Sequence, residues 1–65
     1  MRDPSRIDET LAVIEQLWRR FPDWRLGQLI SNIAGGDNRV FYIEDEPLTQ
    51  TAFEMIQDAI REETR

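Results

Sequence analysis

Apolar residues recur at Ile7, Leu11, Ile14, Leu17 or Trp18, and Phe21, with Asp8, Glu9, Glu15, Gln16 and Arg19 between them. Steps of three and four put the first set on one face of a helix and the second on the other. Asp3 and Pro4 suit the start of this helix. An aspartate side chain accepts from orphan backbone N–H groups, and proline fits the first helical position, where its missing N–H costs nothing. Early acids and a late Arg19-Arg20 pair complement the helix dipole, and Pro22 stops the run.

Phe21-Pro22-Asp23 has room only for a corner between helices. Asp23 is the expected cap of a second helix from Trp24 to about Ala34, with Leu26, Leu29, Ile30 and Ile33 on its apolar face. Gly27 inside that helix costs roughly 1 kcal/mol relative to alanine. Close approach of another backbone is the expected compensation, with a tolerated weakness in the helix as the alternative. Gly35-Gly36 supplies a left-handed C-cap, and residues 35–39 read as a polar loop.

Val40-Phe41-Tyr42-Ile43 is β-branched and aromatic and predicts a short strand or an extended strip. A lone strand does not hold in water. It therefore packs on the helices or pairs with a copy of itself in a dimer, and the first arrangement is favoured. Glu44-Asp45-Glu46-Pro47 opens a third helix, with acids at the positive dipole end. Its stripe is Leu48, Ala52, Phe53, Met55, Ile56, Ala59 and Ile60, ending near Glu63. The expected fold is all-α: a small three-helix domain, residues 1–65, with a short extended or β segment before the third helix.

Composition narrows the chemistry. The 65 residues include no cysteine and no histidine, which removes disulfides, thiolate chemistry and nearly all zinc, haem and iron–sulfur sites. A core this small calls for regular helix packing or self-association, so a homodimer is one expected outcome. The longest apolar run falls far short of the ~20 residues that span a bilayer, and the N-terminus lacks the apolar stretch of a signal peptide. The expected location is the cytoplasm. Net charge is −5, and the excess lies entirely in residues 33–65. An acidic surface repels phosphate backbones and suits a basic protein partner.

No catalytic constellation emerges. A nucleophile lacks a histidine or lysine base. Glu44, Asp45 and Glu46 are consecutive and so point in different directions, without the spacing of a calcium loop. Gly35-Gly36-Asp37-Asn38 lacks the lysine of a phosphate loop. No catalytic residue, cofactor or metal ligand is assigned. Helices one and two form a rival, helix-turn-helix-like nucleic-acid reading, with Arg19, Arg20 and Arg25 near the bend. The acidic charge opposes it. A purely structural, self-assembling role is the third alternative.

Three stretches resemble a group of short, uncharacterised bacterial and phage proteins across roughly residues 2–48. They are Arg2-Asp3-Pro4-x-Arg6-Ile7, then Trp18-x-x-x-Pro22-Asp23-x-Arg25-Leu26-Gly27-Gln28-Leu29-Ile30-x-Asn32, then Phe41-Tyr42-Ile43-Glu44-Asp45. The resemblance implies a cytoplasmic accessory protein and carries over no catalytic residues. The expected function is a protein–protein interaction module that modulates a host protein. Its contacts are Glu44, Asp45 and Glu46 with Tyr42, and a corner of Trp24, Arg25 and Gln28.

Overall fold

The computed structural model describes residues 3–64. Three helices follow in order, α1 (Ser5–Arg20), α2 (Leu26–Ala34) and α3 (Asp45–Glu63), with a 3-10 turn at Asp37–Arg39 before the last. The domain is all-α, as its hydrophobic periodicity predicts.

Local chemistry accounts for most of the boundaries. Asp3 Oδ1 accepts the Ser5 N–H at 3.0 Å, while Pro4 has helical φ −62° and ψ −19°. The backbone hydrogen bond, and then the Ser5 hydroxyl, hold the Asp3 carboxyl below its ordinary value of 3.8. α1 ends where Phe21 leaves helical geometry at φ −129° and ψ 62°, just ahead of Pro22. α2 ends on Gly35 at φ 90°, and the N–H groups of Gly35 and Gly36 both reach the Ser31 carbonyl at 3.0 Å. α3 starts after an extended Glu44, whose carbonyl accepts the Leu48 N–H at 3.1 Å.

Three sequence expectations give way. α2 begins at Leu26 rather than Trp24, and Asp23 does not cap it. The Trp18 indole Nε1–H donates to the Trp24 carbonyl at 2.7 Å. That carbonyl is thereby held in the corner, and the first α2 bond runs instead from the Leu29 N–H to the Arg25 carbonyl. Gly27 is thus the second helical residue, and a methyl group built on it meets nothing within 4 Å. No backbone approaches it. Residues 40–43 do form a short segment ahead of α3, but it coils rather than extends: Val40 is helical, at φ −56° and ψ −42°, and the Tyr42 and Ile43 N–H groups both close on the Arg39 carbonyl. Local turns satisfy these backbone groups, which an unpaired strand would leave without partners.

Each helix contributes two residues to the buried cluster: Ile14 and Leu17, Leu29 and Ile33, Ala52 and Ile56. Arg6 pairs with Asp45 and Arg20 with Glu63. Ion pairs at both ends therefore set α1 and α3 side by side and parallel, and α2 returns between those ends. At ~1.5 Å per residue α2 is about 14 Å long against about 24 Å for α1. The α1 stripe is covered only in part: Ile14 is buried, whereas Leu11 remains 60% exposed and Ile7 is also exposed.

Candidate functional site

The seven residues expected to meet a partner fall into two groups at opposite ends of a molecule 43 Å long. Tyr42, Glu44, Asp45 and Glu46 lie at the end where α1 and α3 begin. Trp24, Arg25 and Gln28 lie at the end where α1 finishes. The fold does not bring them into one surface.

The corner group is largely structural at its centre. Trp24 is half-buried against the core and stacks on Phe21, with ring centroids 4.4 Å apart and planes 13° from parallel. Its carbonyl is held by Trp18. Arg25, the extended residue that precedes α2, and Gln28 in its first turn are both exposed.

The other end presents an aromatic tip. Phe41 is 87% exposed and Tyr42 78%, and their rings meet edge to face at 5.1 Å. Phe41 escapes the sequence-level site because a β-like run of four residues reads as packed chain. The signal that could have marked it is its position between two strong local punctuators, Gly35-Gly36 and Glu44–Pro47. Backbone bonds fix the tip from both sides: the Arg39 N–H to the Gly36 carbonyl at 3.1 Å on one, and the Ile43 N–H to the Arg39 carbonyl at 3.0 Å on the other. The Ser31 hydroxyl also holds the Asp37 carboxylate. Beside Tyr42 lies an open hollow of about 270 Å3, walled by Ala34, Asn38, Arg39 and Ile43.

The acidic residues next to the tip divide by role. Glu44 and Glu46 are exposed. Asp45 is half-buried and pairs with Arg6, so it closes α3 onto α1. The Arg6 Nε is buried without a hydrogen-bond partner. Asp45, Glu46 and Arg6 also edge an open groove of about 580 Å3 between α1 and α3, with Val13 and Phe53 along it. Among the described residues, no three acidic side chains converge as a metal-ligand set, and no helix is long and apolar enough to cross a membrane.

Comparison of the chain with protein-family models, with curated proteins and with solved structures gave no match.

Proposed function

We propose that this chain is an acidic protein-binding module that inserts Phe41 and Tyr42 into an apolar pocket of a basic partner. The observation that carries this reading is the exposure of two adjacent large aromatics, 87% and 78%, on a tip whose backbone is already fixed. Aromatic anchors of this kind dominate interface energetics. Pre-ordering them lowers the entropy cost of association. Glu44 and Glu46 flank the tip and suit a cationic rim, steering encounter more than adding raw affinity.

The nucleic-acid alternative has less support. Of the three arginines near the corner, Arg19 is engaged by Glu15 and Arg20 by Glu63. The resemblance to bacterial and phage proteins extends the proposal to an accessory protein that modulates a host protein, without catalysis of its own. The absence of cysteine suits a reducing compartment, and we place the module in the cytoplasm.

A photo-crosslinking residue at position 41, with position 57 on the far face of α3 as control, tests this directly. The expected result is one adduct from position 41 and none from position 57. Capture should be lost in Phe41→Ala/Tyr42→Ala and weakened in salt-dependent fashion in Glu44→Lys/Glu46→Lys, with helical circular dichroism unchanged. Equal capture by the double alanine variant would overturn the proposal.

A further inference from the structure

The groove of about 580 Å3 between α1 and α3 is chemically polarised along its length. Where the two helices begin, Glu9 and Glu46 line opposite walls, and both are exposed. Further along, the same walls carry the half-buried Val13 and the 48%-exposed Phe53. Arg6 and Asp45 cancel each other as an ion pair. Among the described residues neither Glu9 nor Glu46 has a cationic partner. The positive ends of α1 and α3 offset about half a charge each, which leaves the acidic end with about one negative charge in excess. One turn separates Glu9 from Val13 and two separate Glu46 from Phe53, about 6 and 11 Å along the helix axes. The complement of such a groove is a single long cationic side chain. Its aliphatic stem covers apolar surface while its charged head reaches beyond.

We infer that this groove seats one arginine side chain of the basic partner, with its stem on Val13 and Phe53 and its guanidinium between Glu9 and Glu46. The inference rests on the reading of a basic partner proposed above. Glu46 belongs both to the groove and to the acidic rim of the Phe41-Tyr42 tip, so one partner surface meets both. Other occupants match only half of the groove. An apolar side chain would cover the two carboxylates without a counter-charge, and a bare metal ion would leave Val13 and Phe53 uncovered. A docked helix is too long, because the polar Thr10, Thr49 and Gln50 interrupt the apolar strip. Arginine fits better than lysine. Its planar guanidinium presents donors along several edges and so reaches carboxylates on two walls, whereas an ammonium is a compact, strongly hydrated point charge. Exposed carboxylates make this a weak contact taken alone. Its effect is to fix how the partner sits relative to the tip.

Nuclear magnetic resonance on the isotope-labelled full chain tests the chemistry, with the blocked amides of arginine, lysine and norleucine as probes at constant ionic strength. The arginine probe is expected to shift the backbone amides of Glu9, Thr10, Val13, Glu46 and Phe53 saturably, half-complete at about 1–10 mM, and to leave Phe41 and Tyr42 unmoved. The lysine probe should bind more weakly, and the norleucine probe should not bind. Glu9→Gln/Glu46→Gln should weaken the arginine response by about tenfold, with helical circular dichroism retained. Absence of a saturable shift, equal binding of either other probe, or an unchanged response in the double variant overturns the inference. The source of the arginine is tested separately. A photo-crosslinking residue at position 50, on the groove wall, is expected to give the same adduct as position 41. An adduct at 41 alone overturns the groove's role and leaves the tip standing, whereas an adduct at neither position overturns both readings.

Discussion

Gly36 sits at φ 142° and ψ 154°, a region that side-chain-bearing residues enter only with strain of about 1–3 kcal/mol. A methyl group there would also press on the Asn38 side-chain oxygen at 3.3 Å. Gly27 has neither constraint, since its φ is ordinary and its surroundings are open. The two glycines should therefore respond to alanine with opposite signs. Gly36→Ala is expected to lower stability by about 1–3 kcal/mol, and Gly27→Ala to raise it by about 0.4–1 kcal/mol, chiefly by restricting the unfolded chain. Urea denaturation of both variants measures this, and a stabilised Gly36→Ala would contradict the geometry described. Sequence alone located Gly35-Gly36 correctly because a helix stop is a local event. Of the two readings of Gly27 the close approach fails and the tolerated weakness stands, because the meaning of that glycine depends on where α2 begins, and a contact between residues six apart decides that.

That contact belongs to the scale of the element. The hydrogen bond from the Trp18 indole to the Trp24 carbonyl and the Phe21–Trp24 stack lock the corner between α1 and α2. Trp18→Phe keeps a ring in place and removes only the donor and part of its bulk. A net loss of about 0.5–1.5 kcal/mol is expected for the hydrogen bond, with the melting temperature falling by about 4–8 °C per kcal/mol in a domain of this size. A Trp18→Phe variant that melts with the parent would show that the corner is fixed by the Phe21 stack alone. The helices themselves were legible in the chain. Asp3-Pro4, Pro22, Gly35-Gly36 and Glu44–Pro47 each act on backbone groups within a turn of themselves, so periodicity plus punctuation suffices. The corner was not, because a tryptophan's N–H gives no sign in the sequence of which carbonyl it will meet. The coil at 40–43 was misread for a related reason. Its β-branched and aromatic composition fits a strand, but no second strand is there to pair with it, and the backbone closes on Arg39 instead. The candidate site inherits that misreading, which is why Tyr42 was singled out and its more exposed neighbour Phe41 was not.

For the whole molecule, the buried core and the tip proposed for recognition are different residues. The buried cluster is six side chains, and a core in a chain this short rarely supplies more than about 3–5 kcal/mol. Leu29 is fully buried at its centre, where truncation to alanine costs about 2–5 kcal/mol. Leu29→Ala should therefore consume nearly the whole margin and leave the chain substantially unfolded at room temperature. Phe41→Ala removes a larger side chain that is 87% exposed. Little apolar area leaves water when the chain folds there, so the melting curve should barely move. Circular dichroism melts of the two variants separate the cases: a broad, low transition for Leu29→Ala and a near-parental one for Phe41→Ala. If Phe41→Ala melted as early as Leu29→Ala, the tip would belong to the core and its exposure would have no bearing on recognition. If the two part as expected, the small domain keeps its most exposed aromatic free of any folding duty, as the proposed docking role requires.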